Sequence, residues 1–347
     1  MTEGARQEVA TLVRATLEGA TLEGATLVRV ASDQTIIKKV DLKKILKETT
    51  ETGAIKMIII ESDVLKIAIN QKGAELTQIA SKTTKKEYLW DANPDVWASH
   101  APVLFPTIGA LKDNTYFYQG KAYQLPKHGF VRNNTSIELR SQSTNSVTLG
   151  LTSSEATRAV YPFDFNFLIT YSVTENKLTV DHEVINTGNS DLLFSLGAHP
   201  GFMCPINAGE AYDDYFLEFE QKETAATWEL TSGGTIGNTT IPVLDNSAIL
   251  PLHAHIFDRD ALIFKDLKSR KVTLKNKLSS QTVTVEYPDF NYLGIWAKPG
   301  ASFVCIEPWL GIADSADTNQ ELVTKEGILN LAAGKTFTAS YSVTISE

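Results

Sequence analysis

Phe165-Asn166-Phe167-Leu168-Ile169-Thr170-Tyr171-Ser172-Val173 leads into Thr174-Glu175-Asn176-Lys177 and then Leu178-Thr179-Val180-Asp181-His182-Glu183-Val184. In both outer runs the large side chains fall at every second position, the period of a strand with one face in a core. The polar tetrad between them has the length and chemistry of a hairpin turn. The stretch predicts two neighbouring antiparallel strands. Phe337, Ala339, Tyr341, Val343 and Ile345 repeat the alternation, and strand-length runs occur at 147–152, 215–219, 272–274, 283–286 and 303–306, punctuated by Gly, Pro, Asn and Asp. Helical patterns are few. So many short strands predict an all-β domain of two large packed sheets, with two stacked smaller β domains as the alternative layout.

The 347 residues suffice for one large domain or two ordinary ones, and 43% hydrophobic against 21% charged residues describes an ordinary soluble globule. A net charge of −9 argues against a nucleic-acid partner or an anionic membrane surface. Cys204 and Cys305 are the only cysteines and have no Cys-x-x-Cys spacing. They read as small packing residues in a reduced setting. No run approaches a membrane span and no basic start precedes a hydrophobic stretch, so the expected location is cytoplasmic.

Residues 1–56 differ from the rest. Ala10-Thr11-Leu12-Val13-Arg14 is echoed every five residues through Ala25-Thr26-Leu27-Val28-Arg29. This resembles pentapeptide-repeat proteins, but it amounts to about one coil of a β-helix, and a repeat stack needs several units to bury a core. An appended segment is expected instead. Asp41-Leu42-Lys43-Lys44-Ile45-Leu46-Lys47 predicts a short basic amphipathic helix, residues 49–53 a linker, and Ile58-Ile59-Ile60 the first strand of a main domain over 57–347.

Three short segments concentrate the chemistry. Glu307 lies in Phe303-Val304-Cys305-Ile306-Glu307-Pro308-Trp309, where a carboxylate is costly unless it is paired or used. His199 follows a strand and a Gly-Ala break and precedes Pro200-Gly201, which suits a histidine facing a cleft. A structural histidine bonded to backbone is the alternative. His128 precedes Gly129-Phe130, with Arg132 placed to donate to hydroxyls or an acid group. Histidine titrates near neutrality and a buried glutamate drifts toward it, so the three form a proton-transfer kit. Asp260 and Asp266 flank the strand Ala261-Leu262-Ile263-Phe264, and His100 stands just before Ala101-Pro102-Val103-Leu104-Phe105-Pro106. His253 and His255 would share one side of an extended 252–256, with Asp258 nearby, but no third ligand has zinc-like spacing. His182 reads as core. Phosphate-binding loops, the dinucleotide fingerprint, the nucleophile elbow and the His-Glu-x-x-His pair are all absent.

These segments, in order, resemble the aldose 1-epimerase (galactose mutarotase) family, and most closely its LacX-like branch. The resemblance covers 57–347. It rests on Ala101–Pro106 with Gly109, His128-Gly129-Phe130, Tyr161-Pro162-Phe163, Gly197-Ala198-His199-Pro200-Gly201-Phe202, Phe257-Asp258-Arg259-Asp260-Ala261-Leu262, and Cys305-Ile306-Glu307-Pro308-Trp309-Leu310-Gly311. It implies a large antiparallel β-supersandwich that interconverts the anomers of a hexose. Glu307 would be the base, His199 the acid and His128 the second site histidine, with no cofactor and no metal. The resemblance suggests Asp260 as a contact to a sugar hydroxyl, with Asp258 and Asp266 close enough to serve instead, and Arg132 follows the His-Gly-Phe motif as in relatives. From the residues themselves, His100 would line the cleft or cap a loop, and Trp309 or Trp296 would pack against the apolar face of the sugar. The hexose-6-phosphate branch carries an arginine where this chain has Ala98-Ser99-His100, which points to a free hexose. A non-catalytic sugar-binding protein on the same scaffold is the alternative.

Overall fold

A computed structural model describes residues 56–347, which belong to one compact unit. The repeat echo, the helix expected from Asp41 and the linker at 49–53 lie outside the described residues. Among those described, no helix is long and apolar enough to cross a membrane.

The hairpin that decides the fold forms in the expected register. Phe165–Thr174 pairs with Lys177–Asn186, Leu178 opposite Val173 and His182 opposite Ile169. Burial alternates along both strands, so one face is core and the other meets solvent. Around this pair grows a nine-stranded antiparallel sheet. Its order is Ile236–Pro251, Tyr215–Leu230, Lys271–Asn276, Thr282–Glu286, Thr336–Ser346, Lys177–Asn186, Phe165–Thr174, Ser146–Thr152 and Glu138–Gln142. A second sheet runs Leu262–Phe264, Tyr292–Trp296, Phe303–Leu310, Leu196–Ala198 and Val103–Leu104, with Gly201–Met203 also on Phe303–Leu310. Aromatic side chains join the layers. Phe105 lies 4.8 Å from Phe167 and 5.3 Å from Phe165, and Phe264 meets Phe219 edge-on. The result is the antiparallel two-sheet β-sandwich, not a stack of smaller domains.

His182 is core, buried among Phe167, Phe290 and Tyr341, and burial lowers its pKa to about 4. Two expectations fail locally. The segment after Leu252 is a series of turns, so His253 and His255 do not project from a strand; the His255 ring meets Asp258 Oδ2 at 2.9 Å in an exposed pair. Strand Tyr215–Leu230 also runs far beyond residue 219. It forms a long hairpin with Ile236–Pro251 that bulges at several points.

Candidate active site

Glu307 sits on Phe303–Leu310, a strand buried along its whole length, opposite Gly294. It is 1% exposed. Cys305, Glu307 and Trp309 leave this strand on the same face, two residues apart. Leu196–Ala198 pairs alongside, Gly197 opposite Trp309. His199 therefore emerges beside Glu307 at the end of the adjacent strand. Ile306 donates its N–H to Pro200 O at 3.2 Å, fixing the chain just past the histidine. His199 Nε2 stands 3.2 Å from Glu307 Oε2.

His128 arrives from a loop and is held at both ends. Its N–H donates to Gly109 O at 2.9 Å, and Gly109 N–H donates to its Nδ1 at 3.1 Å. A ring nitrogen that accepts from an amide carries no proton, so the neutral ring bears its hydrogen on Nε2. The imidazoles of His128 and His199 meet edge-on at 5.5 Å. His128 has φ 69°, and Gly129 follows at φ 73°. A Cβ on Gly129 would collide with the Phe105 carbonyl, which accepts from Phe130 N–H at 3.1 Å. We expect Gly129→Ala to cost about 3 kcal/mol in urea unfolding. A loss below about 0.5 kcal/mol, the scale of a neutral surface change, would show that the clamp on His128 is not rigid.

Gly109 is anchored in turn. A Cβ there would meet Ala313 Cβ at 2.5 Å, and Asp314 N–H donates to Ala110 O. The Asp314 carboxylate pairs with buried Lys325 at 3.0 Å and accepts from Lys112 N–H.

The three residues border a hollow of about 640 Å³, large enough for one sugar ring. Its walls include Trp97, Trp296, Trp309, Lys127, Arg132, Asp258, Asp260 and the 231–234 turn. The Trp97 ring lies 5.0 Å from His199, and Trp296 meets that imidazole edge-on at 5.8 Å. Trp309 fits because the strands on either side carry glycine. A Cβ on Gly294 would lie 2.5 Å from the indole, and one on Gly197 2.8 Å. Arg132 Nη2 donates to Ser99 Oγ at 3.2 Å. Asp260, at φ 82°, accepts from Ala261 N–H.

Of the residues singled out from sequence, Glu307, His199, His128, Arg132, Asp260 and Trp309 border this one hollow. Asp258 borders it too; Asp266 does not. His100 stands outside the lining. Its N–H donates to Glu75 Oε1, and its carbonyl accepts from Gly201 N–H. Sequence reasoning missed Trp97, Lys127 and the 231–234 turn. A tryptophan in the polar run Asn93-Pro94-Asp95-Val96-Trp97 was the available sign for the first; the turn had none, because the long hairpin carrying it was not foreseen.

Burial governs the electrostatics. Loss of water pushes the Glu307 carboxyl well above its usual range, with Asp260 adding to the rise and Lys127 and Arg132 opposing it. Loss of water also pulls His199 down, to about 3, and the Arg132 charge works in the same direction. His128 falls well below its ordinary value by burial, then by the neighbouring His199. Burial thus favours the uncharged form of the pair, with the proton on Glu307. Glu307 Oε2 has the His199 ring nitrogen 3.2 Å away, while His199 Nδ1 and Trp309 Nε1 are buried without a hydrogen-bond partner that meets strict geometry. Such atoms are costly to leave unmatched, and both residues border the hollow.

The fold is thus an antiparallel β-sandwich in which two imidazoles and a buried carboxyl converge on one sugar-sized hollow. The chain belongs to the aldose 1-epimerase family, whose pattern it matches over residues 56–326. It is 30% identical over 298 residues to the plasmid-borne protein LacX of Lactococcus lactis subsp. lactis, covering 83% of this chain and 99% of that protein. A galactose mutarotase related enzyme from Lactobacillus acidophilus is similar at 35% identity, covering 84% of this chain and 98% of that one, with a TM-score of 0.80. A galactose mutarotase-like protein from Lactobacillus casei ATCC 334 is 29% identical with a TM-score of 0.79, covering 84% of this chain and all of that one.

Proposed function

We propose that this chain is an aldose 1-epimerase that interconverts the α and β anomers of a free hexose. The carrying observation is the buried Glu307–His199 pair, 3.2 Å apart, on the wall of a sugar-sized hollow, with His128 beside it. A polyhydroxylated ring supplies donors and acceptors for these groups, and the indoles offer apolar faces to its C–H groups.

With a pyranose bound, the proton shared by the pair passes to His199, leaving Glu307 as carboxylate. Glu307 takes the proton of the anomeric hydroxyl while His199 gives its proton to the ring oxygen. The C1–O5 bond opens to the aldehyde, C1–C2 rotates, and the steps reverse on the other carbonyl face. His128, fixed as an Nε2–H donor, steadies negative charge on oxygen as the ring opens. Each acid or base group contributes on the order of 10²–10⁴ in rate.

The working form holds one proton between Glu307 and His199. A second proton gives a buried cation and removal of the first gives a buried anion, and burial opposes both. The pH–rate profile is therefore broad. Its acid limb is expected near His199's value of about 3, and its alkaline limb follows Glu307, raised above 4.5. Polarimetry of freshly dissolved α-glucose and α-galactose across pH, with the fold followed by tryptophan fluorescence, checks this. An acid limb centred at the ordinary carboxylate value would overturn the shared-proton assignment. Anomer exchange at the solvent rate, with sugar bound, would favour the binding-protein alternative.

A further inference from the structure

Cys305 has no part in the proton transfer, yet it stands against the pair. Two residues before Glu307 on the same strand, it projects from the same face. The donor atoms of His199, Cys305 and Glu307 all lie within 4.8 Å of one another, and all three residues are buried. One edge of a zinc tetrahedron is nearly set. His199 Nε2 and Glu307 Oε2 are 3.2 Å apart, and two such ligands at ~2.0–2.2 Å from tetrahedral zinc stand about 3.4 Å apart. A thiolate ligand at ~2.3 Å needs separations of about 3.6 Å, so a sulfur within 4.8 Å of the other donors has up to about 1.2 Å to close. Gly201 pairs with Cys305 across the strands, and its lack of a side chain keeps that flank of the sulfur from being filled.

We propose that His199, Cys305 and Glu307 form a three-ligand Zn²⁺ site behind the wall of the sugar hollow, which His199 and Glu307 border and Cys305 does not, and that zinc bound there inhibits the protein. Nitrogen, carboxylate oxygen and thiolate together suit zinc and disfavour magnesium or calcium, which want oxygen throughout. On binding, the Cys305 thiol and the Glu307 carboxyl each release a proton to solvent, and neutral His199 coordinates through Nε2. One Zn²⁺ enters, two protons leave, and no electron moves. The fourth position faces the hollow, where water completes the shell. Zinc takes Glu307 and His199 out of proton transfer and competes with sugar. The binding stands on the ligand geometry alone; the inhibition rests on the proposed mutarotase reading.

The test uses the full chain carrying H253Q and H255Q, which removes the exposed imidazoles near Asp258. Titration with Co²⁺ is expected to give a sulfur-to-metal charge-transfer band that C204S retains and C305S loses. Zn²⁺ is expected to inhibit anomer exchange competitively, with a midpoint raised by about 10–100-fold or more in C305S. No thiolate band with Co²⁺, or a band that survives C305S, overturns the site. Should C305S fail to fold, H199N is titrated calorimetrically with Zn²⁺: lost binding supports the site and unchanged binding overturns it. The cobalt band reports even where turnover is missing, so failure of the metal site and failure of the mutarotase reading are told apart.

Discussion

Glu307→Gln is expected to cut anomer exchange by about 10²–10⁴-fold without loss of fold. The amide keeps the shape of the carboxyl and cannot take the anomeric proton. A second readout separates a base from a merely structural acid. The folded protein holds the Glu307 pKa above its ordinary value, burial being the main cause. The protonated acid is thus the form the fold prefers. Its contribution to stability is complete below the unfolded value and is lost as pH rises through the folded one. Gln does not titrate, so the melting temperature of E307Q should gain on that of the parent as pH rises from about 4.5. Thermal unfolding at several pH values, beside polarimetry, measures both. An E307Q protein that exchanges anomers at the parent rate would remove Glu307 as base.

His199→Asn should lower kcat/KM by about 10²-fold or more, with KM changed far less than kcat. If Glu307 and His199 work together in one ring-opening step, as proposed, their losses should not multiply. The double variant E307Q/H199N is expected to fall little below the worse single variant. Losses that multiply would mean the two residues serve separate steps. Trp97 and Trp296, which flank the imidazole, should change their fluorescence in H199N, showing directly that the wall has been disturbed.

Much of this was legible from residue order alone. Where one strand face is core and the other meets water, as in Phe165–Thr174 and Lys177–Asn186, alternation carries the fold plainly. Glu307 declared itself because a carboxyl among Val304, Cys305, Ile306 and Trp309 has no cheap place to sit. His128 and His199 stood out through their glycine and proline neighbours. The hairpin Tyr215–Leu230 with Ile236–Pro251 was largely hidden. Past Phe219 its repeated bulges break the two-residue period, and threonine, glutamate and alanine replace the apolar marks. Its tip at 231–234 was hidden with it. His100 was misjudged for another reason: position next to a motif does not fix which way a side chain or an amide turns, and here the backbone of His100 does the bonding.

The floor under Trp309 is made of missing atoms. Gly197 and Gly294 leave the indole its berth from either side, so the depth of the seat is written on three strands at once. Trimming the tryptophan alone would open a void, and filling either neighbour alone would lift the ring toward the guest. Any lineage or engineer seeking a different occupant by this route must move all three positions together.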